Sequence, residues 1–325
     1  ALAGLRLEPS QIARAAAEAR AAAWPDERPP DGAALLAAGR RAASVATPRF
    51  ARRIPPEAGL DRIVLPPDRH AQLREIVVQV RHAARVQEAW GFRELMLYGR
   101  GVAALFAGPS GTGKTISARA IAGELGMDLL QIDLAQIVSK YIGETEKNLA
   151  AVFAAAEAAD VALLFDEADA LFGKRSEVKD AHDRYANIET AYLLQRLEEF
   201  SGLAILTTNL KPNLDTAFLR RLRFVVDFPR PDAALRAEIW RRAFPPRAPL
   251  DPDLDLDVLA DSLDLTGGSI QSAALRAAYL AAGEDRPIAM RHLAYACRRE
   301  LLKLGQLSAE RELAALAAAW TDGPP

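Results

Sequence analysis

The octapeptide GPSGTGKT, residues 108–115, combines three glycines, one lysine and three hydroxyls. It follows the apolar run VAALFA (102–107) and opens a helical segment. Gly108, Gly111 and Gly113 let the backbone curl, so that Pro109, Ser110 and Thr112 sit in a loop whose N–H groups face an anion. The helix N-terminus adds partial positive charge. Lys114 reaches the β- and γ-phosphates of a nucleotide, and the Thr115 hydroxyl ligates Mg²⁺. The expected chemistry is binding of a nucleoside triphosphate.

Two further stretches complete a hydrolytic set. LLFDEAD (163–169) puts carboxylates at the end of an apolar strand, a costly place unless they serve a cation. Asp166 is expected to hold Mg²⁺ through water, and Glu167 to polarise the water that attacks the γ-phosphate. ILTTN (205–209) ends the next strand on Asn209, which is positioned to orient that water. The plainer alternatives are a Gly-rich turn, an acidic strand end and a turn-forming asparagine. Their joint occurrence in strand–loop–helix context favours the nucleotide reading.

The elements around these motifs predict how they are held. VAALFA, DLLQIDL (128–134), VALLFD (161–166), LAILTT (203–208) and FVVDF (224–228) are short apolar runs between helical segments. That pattern implies a five-stranded parallel sheet covered on both faces, an α/β core over 68–231. A long amphipathic helix starts at 68 and runs to about 90, with Leu73, Ile76, Val77, Val80 and Ala84 on one face. Residues 51–67, punctuated by prolines, read as a linker, 232–305 as an all-helical lid, and 306–325 as a C-terminal helix and tail. Residues 1–50 hold two helices, the first with Ser10 as its cap. They also repeat. Shifted by 258 positions, residues 5–41 align without a gap on 263–299, with Leu5, Leu7, Ile12, Leu35, Arg40 and Arg41 meeting identical residues. The N-terminal segment is therefore read as the lid remnant of an upstream, degenerate module.

The bulk numbers bound the function. In 325 residues, 50% are hydrophobic and 26% charged, with a formal net charge of -2. This is globular composition without the excess of a broadly basic nucleic-acid binder. The single cysteine, Cys297, permits no internal disulfide and fits a reducing, cytoplasmic setting. No run is apolar and long enough to cross a bilayer.

Together these motifs resemble the AAA+ ATPases, within them the protein-remodelling group, over about residues 58–305. The resemblance implies a ring, usually a hexamer, with ATP between neighbours. It assigns FLRRLRF (218–224): Arg220 and Arg221 match a pair that enters the neighbouring subunit's site, and Arg223 is an alternative for one role. LTGGSIQSAAL (265–275) resembles the lid segment near the adenine, with Gly268 and Ser269 as contacts; Ile63 and Val64 in LDRIVLP are candidates from the other side. KYIGE (140–144) resembles the loop lining the central pore, with Lys140, Tyr141, Ile142 and Gly143 gripping peptide. An aromatic side chain offers large contact area at little rotamer entropy. A second pore loop is expected in 174–187, with Lys179 and His182 as candidates. Several stretches, GETEKNL among them, are most similar to bacterial ATPases of phage-tail-like contractile injection particles. The expected partners are further copies of the chain and a protein or peptide substrate, without membrane or nucleic acid. A nucleic-acid motor is the alternative, with some support from Lys140, Lys174, Arg175 and Lys179; a scaffold that binds ATP without hydrolysing it is the third.

Overall fold

The structure, a computed structural model, describes residues 8–23, 29–42, 48, 50–56, 59–95, 99–137, 144–169, 181–209 and 219–305. These fall into two compact units. One takes residues up to Ile63, Pro67–Gly108 and Lys114–Asp227; the other takes Val64–Pro66, Pro109–Gly113 and Phe228 onward.

The first unit opens with helices α1 (Pro9–Ala23) and α2 (Gly32–Ala42), then strand β1 (Ala51–Ile54) and helix α3 (Pro67–Ala84). Strand β2 (Val102–Ala107), helix α4 (Lys114–Glu124), strand β3 (Leu129–Asp133) and a short helical turn α5 (Leu134–Ile137) follow. Helix α6 (Glu144–Ala159), strand β4 (Ala162–Asp166), helix α7 (Ala181–Glu199), and strands β5 (Leu203–Thr208) and β6 (Phe224–Asp227) complete it. The sheet order is β1-β3-β4-β5-β2-β6. The five strands expected from apolar runs are parallel to one another, as continuous hydrophobic strands joined by helices must be.

A sixth strand was not expected. Residues 51–54, read as linker, pair antiparallel with β3, Ala51 opposite Ile132 and Ile54 opposite Leu129. ARRI has no alternation long enough to announce a strand. What places it is the open edge of β3, whose backbone groups need partners, and the ion pair of Arg53 with Asp128 at 2.5 Å. Pro55 follows directly, and β1 is one of the sheet's two edge strands, where proline is tolerated.

Other boundaries moved by a residue or more. Pro9, not Ser10, begins α1, and Glu8 N–H donates to Gln11 Oε1 at 2.8 Å. Proline suits the first helical position, where its missing N–H costs nothing. Thr145 lies inside α6, fully buried after Glu144. The long helix at 67 gives way to a π-helical turn at Arg85–Ala89, and Ala84 is exposed.

The core of this unit packs α6 and α7 against the sheet. Leu149, Val152, Phe153 and Ala156, the predicted apolar face of α6, are all buried. Phe153 sits edge-on to Phe200 at 5.4 Å and beside Phe165 at 5.7 Å, with the Arg196 guanidinium over its ring.

The second unit is helical: α8 (Ala233–Ala243), α9 (Leu256–Ser262), α10 (Gly267–Gly283) and α11 (Met290–Lys303). Three of its helices start on side-chain caps, from Asp232, Asp255 and Thr266. Its core centres on Trp240, stacked on Phe244, with Leu259, Ile270 and Leu293. Cys297 lies in that core, its thiol pushed up to about 12 by burial and then by Glu300, so it is an inert apolar filler. No helix among the described residues is long and apolar enough to cross a membrane.

Phe153→Ala should cost about 3–5 kcal/mol, because it removes a ring from a fully enclosed cluster. Urea unfolding followed by circular dichroism measures this; a loss under about 1 kcal/mol would mean the cluster collapses onto the gap.

Candidate functional site

The carboxyl ends of three adjacent strands build the site. β5 lies between β2 and β4, with Ala107 in register with Thr208, and Phe165 with Leu206. The residues at and just beyond these ends therefore converge: Gly108 after β2, Asp166 as the last residue of β4 with Glu167 after it, Asn209 after β5. This is the crevice where open parallel sheets bind ligands.

Lys114 is buried, and its ammonium donates to Gly108 O at 2.7 Å and to Asn209 Oδ1 at 2.8 Å. Burial holds its pKa below the ordinary lysine value, although Asp166, Asp169 and Glu167 pull the other way. Asn209 is positioned in turn by Asp169, which accepts from its backbone N–H at 3.1 and 3.2 Å and from the Thr208 hydroxyl.

Asp166 is the best-held carboxylate. Thr207 Oγ1 donates to its Oδ1 at 2.5 Å, Gln131 Nε2 to its Oδ2 at 2.9 Å, and Thr115 Oγ1 stands 3.2 and 3.3 Å from the two oxygens. Those donors come from β5, β3 and α4. Glu167 is exposed and takes a left-handed backbone conformation, φ 52°. A glutamate there is strained; its N–H is fastened to Thr207 Oγ1 at 3.1 Å and the next N–H to Thr207 O at 2.8 Å. The turn thus takes Glu167 out of the strand and leaves it exposed.

Within the second unit the loop apex meets the start of α10. Gly268 N–H donates to Gly111 O at 2.9 Å. Gly111 has φ +78°, and a Cβ there would stand 2.6 Å from Thr266 Oγ1; a Cβ on Gly268 would stand 3.2 Å from Gly111 Cα. Gly111 is therefore required by its conformation and close approach, and Gly268 is tightly packed against it. Ser269 spends its N–H and hydroxyl on the cap with Thr266.

The structure brings Lys114, Thr115, Asp166, Glu167 and Asn209 together as the spacing predicted. Ile63 is buried, its N–H bonded to Leu60 O, and Val64 is half-buried. Arg220 and Arg221 are exposed, Arg221 paired with Glu198 at 2.9 Å. Arg223 donates to Gly99 O at 2.7 Å, and burial lowers its pKa. Lys140, Tyr141, Ile142, Gly143 and Lys179 lie outside the described residues, and His182 falls in the first turn of α7. Sequence reasoning missed Thr207, Gln131 and Asp169. The first is the inward-bonding member of the TT pair that ends β5; only strand register could have shown which threonine reaches Asp166.

This geometry defines a P-loop nucleoside triphosphatase. Residues 104–230 match the ATPase family associated with various cellular activities (AAA), and residues 232–301 match the contractile injection system ATPase helical domain. Residues 104–230 are thus an AAA ATPase domain, followed by a helical domain of the injection-system ATPase kind. It is 40% identical over 193 residues to "ATP-dependent zinc metalloprotease FtsH 3" of Sphaerobacter thermophilus, covering 56% of this chain and 38% of that one. It is 33% identical over 196 residues to "Uncharacterized AAA family ATPase y4kL" of Sinorhizobium fredii, covering 60% and 57%. It is 32% identical over 190 residues to "26S proteasome subunit RPT4" of Saccharomyces cerevisiae, covering 56% and 43%. The chain spans between 38% and 57% of the length of these relatives.

Thr207→Val preserves shape but removes the hydroxyl that holds both Asp166 and the Glu167 turn. Steady-state kinetics should show kcat lowered by about ten- to a hundredfold, with KM for ATP changed little. Unchanged kcat would mean that Gln131 and Thr115 suffice.

Proposed function

We propose that this chain is an ATP-driven motor that remodels, unfolds or disassembles protein substrates through the pore of a hexameric ring, in the service of a contractile injection system. The observation that carries this reading is the conjunction of a complete hydrolytic set with a helical domain matching those of injection-system ATPases. Support also comes from similarity to proteins named as proteasome subunits.

In this reading the triphosphate lies along the Gly108–Thr115 loop, and Lys114 exchanges its neutral acceptors for phosphate oxygens. Thr115 and Asp166 offer oxygen donors alone, the set a hard divalent cation prefers, so Mg²⁺ fits them. When bound, that ion neutralises charge developing on the phosphoryl oxygens. Glu167 takes a proton from the attacking water, and Asn209, held by Asp169, orients it. Arg220 and Arg221 act on the neighbouring subunit's nucleotide, which places the site in a ring, with Arg223 staying at home on Gly99. Gly268 meets the phosphate loop by backbone contact, while Ser269, like Ile63 and Val64, stands as an adenine-side candidate. Lys140, Tyr141, Ile142 and Gly143 grip the substrate peptide, with Lys179 and His182 on a second loop. The setting is the cytoplasm.

Glu167→Gln should retain ATP binding, measured by nucleotide titration, and lower turnover by about 10²–10⁴-fold; near-normal hydrolysis would remove Glu167 from its role. With that variant holding ATP in lysate of its own cell, captured tail, sheath or tube proteins support the motor, whereas nucleic acid would overturn it. Tyr141→Ala should keep ATPase activity and lose that capture. Capture undiminished by the Tyr141 change would leave the pore-loop assignment without support.

A further inference from the structure

Helices α1 and α2 repeat α10 and α11 in where they start as well as in sequence. α10 begins at Gly267 and α1 at Pro9, a difference of 258; α11 begins at Met290 and α2 at Gly32, the same difference. The buried positions correspond too. Ala15, Ala19, Ala38 and Ala42 are the enclosed residues of the N-terminal pair, and Leu35 packs on them. The positions 258 further on are Ala273, Ala277, Ala296, Glu300 and Leu293, all buried. The N-terminal pair lacks what gives the second pair its independent core. Four alanines and a leucine bury little apolar area, and short helices so poor in core are unstable alone.

What holds the pair is Arg40. Its guanidinium is 14% exposed and pairs with Asp160 at 2.9 Å. It also donates to Leu125 O at 3.0 Å and Gly126 O at 2.8 Å. These carbonyls lie in the turn that directly follows Glu124, the last residue of α4, at the negative end of the helix dipole. Arg81 of α3 takes Glu124 O at 3.0 Å. The far end of the nucleotide-binding helix is therefore clamped by two arginines, one of them from the N-terminal pair. The other end of this 11-residue helix, about 16 Å away, begins with Lys114 and Thr115.

We propose that α1–α2 is a second copy of the α10–α11 pair, and that Arg40 makes it a positioning element for the ATP site by anchoring the C-terminal end of α4. Arg40 touches no nucleotide in this scheme. It fixes the helix whose first two side chains hold the phosphates. The inference rests on the ATP site but not on the nature of the substrate.

Hydrogen exchange on the whole chain tests it, alongside ATPase kinetics, for Arg40→Ala, Arg40→Lys and Asp160→Asn, with Arg20→Ala on exposed α1 as control. In Arg40→Ala, amide exchange in both 32–42 and 119–126 should quicken about tenfold. KM for ATP should rise severalfold while kcat holds. Arg40→Lys should restore part of both effects, Asp160→Asn should give a smaller change in the same direction, and Arg20→Ala should change neither. Faster exchange in α2 with 119–126 and KM unmoved would overturn the positioning role. So would a rise shared equally by β2 to β6, which marks general stability, or no change anywhere, which means the clamp is not formed in solution.

Discussion

A lysine ammonium taken out of water is the constraint from which the site follows. Lys114 donates to a backbone carbonyl and an amide oxygen, both neutral, and burial outweighs the surrounding carboxylates in lowering its pKa. A lysine buried beside a glycine-rich loop, at the first position of a helix, is a site prepared for an anion. Its two acceptors come from the ends of β2 and β5, so these strands must be neighbours. The carboxylates that sustain it come from β4, so β4 must lie on the other side of β5. The observed order β4-β5-β2 satisfies both demands.

The acidic side is arranged to keep its charge without collapsing onto that lysine. Asp166 receives hydrogen bonds from three different elements, which fix its position. Asp169 is spent on Asn209 and Thr208. Glu167 is set apart from both by its left-handed backbone, tied down through Thr207. One threonine hydroxyl thereby serves two carboxylates with different tasks, donating to the one that stays put and accepting the backbone of the one that must face water.

The chemistry was legible because it is local. GPSGTGKT and DEAD carry their roles in residue type and spacing, and five apolar runs announce five parallel strands. What was hidden is whatever depends on pairing. β1 is a strand because β3 has an edge to offer, and nothing within ARRI says so. Thr207 and Gln131 look like any polar residues in strands until register puts them beside Asp166. Arg53 and Arg40 read as solvated charges, yet each is spent on an acidic or carbonyl partner far along the chain. The N-terminal repeat was legible because duplicated helices keep their buried positions even when the residues around them change.

That last pattern shows how the two helix pairs diverge. The C-terminal pair shares a core with Trp240, Phe244 and Leu259. The N-terminal pair closes on alanine, with Arg14 donating to Ala42 O at 2.5 Å and Glu18 pairing with Arg41. Those bonds join the two helices to each other and bury little. A guanidinium can do what such a core cannot, because its donors reach a carboxylate and two carbonyls at once in a fixed fork. The end of α4 is a fitting target, since its acceptors exist in any helix and carry the dipole's negative end. A small helix pair with little apolar area of its own can therefore bear on the α/β unit through one side chain, at the end of the helix that begins with Lys114.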